Sequence, residues 1–191
     1  LIFSPARRVR NNTTKHTYEN IRKHPEVVIN IVNYDMVHQV SLASTEYPEG
    51  VNEFHKAGFT PLKSDIVKPF RVKESPAQFE CVVKQVLDMG DGGGAAGLIL
   101  CEIVRIHVRA DLLDDDLNID QERIDTVGRM GGNYYVRAHG DALFEVAKPL
   151  RRHGIGVDQL PEEIRNSRIL TGNDLGRLGN IEVLPDETSV N

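Results

Sequence analysis

The sequence contains no tryptophan and only two cysteines, Cys81 and Cys101, among its 191 residues. Two cysteines are too few for a disulfide framework or a four-cysteine metal site. We therefore expect both to be free thiols in a reducing, cytoplasmic compartment. The sequence also lacks any run approaching the ~18 apolar residues that a helix needs to cross a bilayer. We accordingly expect no membrane partner.

Acidic residues outnumber Lys and Arg by 28 to 23, so the formal net charge is −5 and the pI is near 5.8. This balance argues against a general nucleic-acid-binding protein. No HExxH motif, Walker loop, G-x-S-x-G elbow or G-x-G-x-x-G fingerprint is present. The acidic run from Asp114 to Asp120 has alternating oxygen ligands as in a calcium loop, but Ile119 and Asp125 stand where that loop needs Gly and Glu. We therefore expect no metal site.

A long β-hairpin is the clearest structural prediction. Residues 77–89 and 98–110 have strand composition, and the glycine-rich stretch 90–97 predicts the turn between them. If the hairpin folds symmetrically about Asp91, Cys81 and Cys101 face each other across the ladder. Further strands are predicted at 1–4, 26–33 and 142–146, and helices at 14–23, 36–44, 51–58, from Asp120 onward, and after Pro161.

An unusual concentration of cations surrounds the predicted first helix, in the segment RRVRNNTTKHTYENI at residues 7–21. A helix N-terminus is already electropositive, so acidic residues are expected there. In one interpretation Thr14 caps the helix and the arginines are merely exposed. In the other, a phosphate group lies at the helix N-terminus, where free N–H groups, threonine hydroxyls and Lys15 bind it. The residues alone leave both interpretations open.

Several longer segments resemble the flavin reductase-like family. They are NNTTKHTYENIRKHPEVVINIVN, LASTEYPEGVNEFHKAGFTPLKSDIVKPFRVKESPAQFECVVKQV, LILCEIVRIHV and RMGGNYYVR. The order and spacing of these motifs agree with the family, and the resemblance covers roughly residues 1–149. Residues 151–191 are similar to the C-terminal tail extension of some bacterial members.

The resemblance implies a mainly β fold with flanking helices, the FMN-binding split barrel, a six-stranded antiparallel barrel with Greek-key character. It further implies a homodimer with each flavin near the subunit interface. The FMN phosphate would lie where the threonine-rich turn enters its helix. The matching positions are Asn12, Thr14, Lys15 and Thr17, with Ser44 as a further candidate. Tyr134 and Tyr135 are candidates for a flavin or dimer contact, or for packed strand aromatics.

Family members normally begin with additional strands before the segment LIFSP, which starts this sequence. We expect such strands upstream of Leu1. The resemblance predicts a flavoprotein that uses NADH or NADPH to reduce flavin, so that FMN is the cofactor and the nicotinamide a co-substrate. No protein residue is predicted as a general acid or base, because the isoalloxazine ring carries the hydride chemistry. The alternative is a non-catalytic split-barrel module that carries electrons on FMN or serves as a dimeric interaction domain.

Overall fold

A computed structural model describes residues 1–149 and 152–185. The strands are β1 (Ile2–Phe3), β2 (Glu26–Asn30), β3 (Pro61–Leu62), β4 (Arg71–Val72), β5 (Ala77–Asp88), β6 (Gly97–Val108), β7 (Val127–Arg129) and β8 (Tyr135–Arg137). The α-helices are α1 (His16–Lys23), α2 (Val37–Ala43), α3 (Glu53–Ala57), α4 (Gln121–Ile124), α5 (Glu162–Arg165) and α6 (Gly172–Leu178). Short 3₁₀ helices cover Tyr34–Met36, Ala110–Leu112, Gly140–Ala142 and Val157–Gln159.

The main sheet is antiparallel and has four strands in the order β1-β6-β5-β2. Two further two-stranded pairs, β3-β4 and β7-β8, lie outside it. Because β1 and β2 form its two edges, this sheet stays open over residues 1–149 and 152–185. The expected closure into a six-stranded barrel is therefore not seen among these residues.

The β5–β6 hairpin is found where the sequence predicts it, with 12 residues in each strand. Its register differs from the symmetric one, because irregularities lie between Glu80 and Cys81 and between Val83 and Gln85. As a result Cys81 lies opposite Ile103, and Val83 lies opposite Cys101. The predicted direct opposition of the two cysteines is wrong. Both cysteines are buried free thiols, as expected.

Two other strand predictions need correction. β2 ends at Asn30 and is an edge strand of intermediate burial, not a fully buried strand over 26–33. The strand predicted at 142–146 does not form. A 3₁₀ helix covers Gly140–Ala142, and Phe144 and Val146 are 82% and 73% exposed. The apolar residues of this segment predicted a strand, but Phe144 and Val146 lie on the surface.

The core lies between α1 and the sheet. Ile21 of α1 is buried with Cys81, Ile99 and Cys101, and Tyr18 packs against this cluster from one turn earlier. The spacing of Tyr18 and Ile21 places both side chains on one face of the helix. Burial of these two side chains anchors α1 on the sheet. This anchoring fixes the position of the helix N-terminus, on which the functional predictions depend.

A second core cluster contains Met36, Ala57, Phe59 and Val72. It is built around α3, where the Asn52 side chain accepts a hydrogen bond from the Phe54 N–H at 2.9 Å. The helix ends at Gly58, whose φ of 69° lies in the left-handed region. The helix predicted over 51–58 therefore ends where the sequence indicates, and glycine adopts this conformation without steric cost.

The chain divides into two compact units, Leu1–Leu143 and Phe144–Asn191. In the second unit the Gly156 N–H donates to the Gly179 carbonyl at 2.9 Å, and a capping box joins Thr171 to Asp174 at the start of α6. α5 follows Pro161, close to the predicted helix. Of the tail predicted over 151–191, residue 151 and residues 186–191 lie outside the described residues. Among the helices that are described, none has the length and hydropathy required to span a membrane.

Candidate phosphate site at the start of helix α1

The first helix begins at His16, two residues later than predicted, and Lys15 occupies the N-cap position with extended backbone angles. The Lys15 side chain makes no capping hydrogen bond. Within the described part of the chain, the backbone N–H groups of His16 and Thr17 have no hydrogen-bond acceptor. Unpaired N–H groups at a helix start attract anions. The entrance to α1 therefore keeps two donors open.

Three of the predicted site residues converge on one cavity. Lys15, Thr17 and Ser44 line a cavity of about 220 Å³ at the helix start. Lys15 has no carboxylate partner within residues 1–149 and 152–185, and the Thr17 hydroxyl has no partner there either. The Ser44 hydroxyl donates to the Ser41 carbonyl at 2.7 Å, so it must rotate before it can donate to a ligand. The cavity thus combines a free cation with at least one free hydroxyl.

Thr14 and Asn12, the other two predicted residues, do not line this cavity. The Thr14 hydroxyl donates to the Glu19 carboxylate, and Thr14 lines two neighbouring cavities instead. The Asn12 side chain accepts a hydrogen bond from Arg7 Nε at 2.8 Å and donates one to the Asp91 carbonyl at 2.9 Å. Its φ of 55° lies in the left-handed region, which asparagine tolerates better than most residues. Asn12 therefore shapes the turn rather than facing the cavity.

The glycine-rich tip of the β5–β6 hairpin supports the turn. The Arg7 N–H donates to the Ala95 carbonyl at 2.8 Å, and the Gly94 N–H donates to the Arg7 carbonyl at 3.1 Å. A β-carbon on Gly93 would lie 2.9 Å from the Val9 carbonyl oxygen. The backbones approach so closely that only glycine fits there. Sequence reasoning predicted a flexible turn for this segment and assigned it no part in the site.

Among residues 1–149 and 152–185, carboxylates neutralise only part of the cation cluster. Glu46, in the connection between α2 and α3, pairs with Arg8 Nε at 2.7 Å and also with Arg10. Arg8 and Glu46 line the same cavity as Lys15 and Thr17. Sequence reasoning missed both residues as parts of the site. Their proximity depends on tertiary packing, which no local pattern reveals.

A larger cavity of about 530 Å³ borders the other side of Lys15, with Arg7, Tyr18 and Asp88 among its lining residues. Asp88 accepts hydrogen bonds from the Tyr18 hydroxyl and from Arg22, the latter at 2.5 Å. The bond from Tyr18, together with the Arg22 charge, holds the pKa of Asp88 below its ordinary value. The carboxylate therefore stays ionised, and its charge is already partnered.

The two aromatic candidates lie elsewhere in the first unit. Tyr134 and Tyr135 line a cavity of about 340 Å³ together with Tyr34 and Arg137. The Arg137 guanidinium lies 3.9 Å from the centre of the Tyr34 ring. The same group donates two hydrogen bonds of 2.7 Å to Asp125. Tyr134 is 79% exposed, so it is not a packed core aromatic.

A buried carboxylate organises the loop before β4. Glu80 is fully buried, and its oxygens accept hydrogen bonds from the N–H groups of Asp65, Ile66 and Val67 at 2.7–3.1 Å. Ligand atoms of Asp65, Glu80 and His107 lie within 4.8 Å of one another, a spacing that metal ions accept. The Glu80 lone pairs, however, are already used by these donors and by His107. We therefore interpret the cluster as a loop anchor.

The fold is mainly β with flanking helices, and comparison with known proteins identifies the family. Residues 5–128 match the flavin reductase-like domain. The chain belongs to the flavin reductase-like family. An uncharacterized protein of Aquifex aeolicus is 36% identical over 136 residues, which cover 71% of this chain and 67% of that protein.

Solved structures agree with this assignment. Nitrilotriacetate monooxygenase component B from Bacillus cereus superposes with a TM-score of 0.68 at 25% identity, covering 76% of this chain and 70% of that one. A protein with a split barrel domain from Shewanella frigidimarina gives a TM-score of 0.61 at 28% identity, covering 70% and 66%. The matched part of the chain covers 67%, 70% and 66% of the lengths of these three proteins.

Proposed function

We propose that this protein binds FMN with the flavin phosphate at the start of α1 and acts as an NAD(P)H-dependent flavin reductase. The observation that carries the proposal is that Lys15, His16 and Thr17 line one cavity and that, among residues 1–149 and 152–185, the N–H groups of His16 and Thr17 have no acceptor. Membership of the flavin reductase-like family supports a flavin-related function. The phosphate would neutralise the positive potential that the sequence concentrates there.

The donor set fits a phosphate group. Lys15 supplies a charge, Thr17 supplies a hydroxyl and the helix supplies backbone N–H groups, all of which donate hydrogen bonds to phosphate oxygens. Asn12 holds the turn in shape, while Thr14 and Ser44 are secondary candidates. When bound, the flavin supplies the hydride chemistry. The residues of this chain bind the phosphate, orient the cofactor and balance the negative charge of the phosphate.

Further elements of the proposal follow from the family resemblance. We propose a cytoplasmic homodimer with a flavin-binding domain over 1–149 and a C-terminal extension over 151–191. We also propose that the fold is a six-stranded Greek-key barrel. The open edges of the main sheet at β1 and β2 support this proposal, because unpaired strand edges tend to acquire a partner.

The test of the phosphate assignment compares FMN with riboflavin, which lacks the phosphate. We expect the protein to quench FMN fluorescence and to bind FMN more tightly than riboflavin. Lys15→Ala should remove most of that preference, about 1–3 kcal/mol for a hydrogen bond to a charged group. Lys23→Ala, at the other end of the same helix, is the matched control and should bind FMN like the wild type. Equal affinity for FMN and riboflavin would refute the phosphate site.

The reductase activity has its own test. Bleaching of the bound flavin absorbance on addition of NADH or NADPH, in the absence of oxygen, supports the reductase. Stable binding of FMN without bleaching by either nicotinamide would favour the electron carrier. A colourless protein that leaves FMN fluorescence unchanged would favour the interaction domain.

A further inference from the structure

Glu46 brings a negative charge to the wall of the proposed phosphate cavity. One carboxylate oxygen lies 2.7 Å from Arg8 Nε, and the other pairs with Arg10. Glu46, Arg8, Lys15 and Thr17 all line this one cavity of about 220 Å³. A carboxylate therefore lies beside the donors that a phosphate would use.

Arg8 is held in place independently of Glu46. Its Nη1 donates to the Thr13 hydroxyl at 3.0 Å and also to the Thr14 carbonyl. The Arg8 side chain is only 16% exposed, whereas that of Arg10 is 72% exposed. Arg8 is thus a preorganised anion receptor at the cavity, and its Nε is already engaged by a carboxylate. A guanidinium group binds carboxylate and phosphate oxygens with the same geometry.

We propose that Glu46 is an internal competitor that lowers the affinity of the site for the flavin phosphate and speeds flavin release. This inference rests on the proposed function. A phosphate monoester carries between one and two negative charges at neutral pH, and like charges in one small cavity repel each other. Glu46 also occupies Arg8, so the phosphate must displace it to gain that contact. The flavin would consequently leave the site faster than it would in a protein without the Glu46 charge.

The experiment measures the affinity and the release rate of FMN and riboflavin in wild-type protein and in Glu46→Gln. We expect Glu46→Gln to bind FMN about tenfold more tightly, as removal of one nearby like charge predicts. Its FMN release in stopped-flow fluorescence should be slower by a similar factor, because affinity changes appear mostly in the dissociation rate. Riboflavin binding should stay unchanged. Glu49→Gln removes a carboxylate from the same segment that, among the described residues, forms no ion pair with Arg8, and it should alter FMN affinity less than about twofold.

A double-mutant cycle measures how much of the effect depends on Arg8. In an Arg8→Gln background, the effect of Glu46→Gln should be smaller, because only the direct repulsion between Glu46 and the phosphate remains. Glu46→Ala is a second variant that removes the same charge, and thermal unfolding verifies that each protein is folded. If wild-type protein prefers FMN and Lys15→Ala abolishes the preference, but Glu46→Gln binds FMN no tighter, the competitor role is wrong while the phosphate site stands. If wild-type protein binds both flavins equally, the phosphate site and the competitor role fail together.

Discussion

The Nε2 atom of His107 lies 2.7 Å from Oε1 of Glu80, so the imidazole on β6 contacts a fully buried carboxylate on β5. The same carboxylate accepts three backbone N–H bonds from the loop that precedes β4. One side chain therefore joins the long hairpin to this loop. Burial of an ionised group is costly unless its hydrogen bonds are satisfied, and here the backbone satisfies them.

Replacing Glu80 should destabilise the protein more than replacing other acidic residues of the hairpin. Glu80→Gln keeps the shape but substitutes an NH₂ group for one acceptor oxygen, which leaves buried N–H donors without a partner. We expect a loss of about 2–4 kcal/mol in the free energy of unfolding, measured by urea denaturation. Glu102→Gln is the matched control, because Glu102 on β6 is exposed and, among the residues that the structure describes, pairs only with Lys84. Near-equal midpoints for the two variants would contradict the anchoring role of Glu80.

The Glu80 carboxylate should also make stability depend on acid pH. Burial by itself raises the pKa of this group, but the backbone donors and His107 outweigh it and lower the pKa of Glu80 from 4.5 to about 2. Because the pKa is depressed in the folded state, its stabilising contribution is present above about pH 4.5 and is lost as the pH falls toward 2. The free energy of unfolding should decline more steeply across this range in wild-type protein than in Glu80→Gln. Parallel pH profiles of the two proteins would rule out this linkage.

Much of the fold follows from local sequence patterns, whereas the site depends on distant contacts. The hairpin, the α3 stop at Gly58 and the α4 start at Asp120 were all predictable from alternation, glycine conformation and capping chemistry. The register of β5 against β6 could not be predicted, since the irregularities near Cys81 have no sequence signature.

At the site, Lys15 and Thr17 were identified from the cationic helix start. Glu46 could not be identified from the sequence as the partner of Arg10, because the two residues are 36 positions apart. They come together because the segment before α1 meets the connection between α2 and α3 in the folded chain. The role of the glycine-rich tip was missed for the same reason.

In the glycine-rich hairpin tip, a side chain added at Gly93 should destabilise the protein, whereas one added at Gly92 should be tolerated. A β-carbon on Gly93 would lie 2.9 Å from the Val9 carbonyl oxygen, whereas one on Gly92 would meet nothing within 4 Å. Gly93→Ala should therefore cost about 1–3 kcal/mol of stability through overpacking. It should also weaken FMN binding, because it displaces the turn before α1. Gly92→Ala should stay within about 0.5 kcal/mol of wild type and bind FMN normally.

Calorimetry and fluorescence titration measure both effects in the same pair of proteins. The turn and the tip share backbone hydrogen bonds through Arg7, so their displacement should be coupled. If Gly93→Ala loses stability but binds FMN like the wild type, the tip supports the fold and not the site.

The two cysteines should resist thiol reagents while the protein is folded. Both are buried, and burial raises the pKa of the Cys81 and Cys101 thiols above the ordinary value. Since only the thiolate reacts, the native protein should react slowly at about pH 8, and two thiols should titrate after unfolding in guanidinium chloride. Reaction in the native state requires opening of the core between α1 and the sheet, so the slow rate reports the stability of that core.

Val83→Ala, which truncates a side chain packed against the cluster of Ile21, Cys81, Ile99 and Cys101, should accelerate the reaction of both thiols. Rapid labelling of native wild-type protein would contradict the packing of α1 on the sheet and, with it, the fixed position of Lys15 and Thr17.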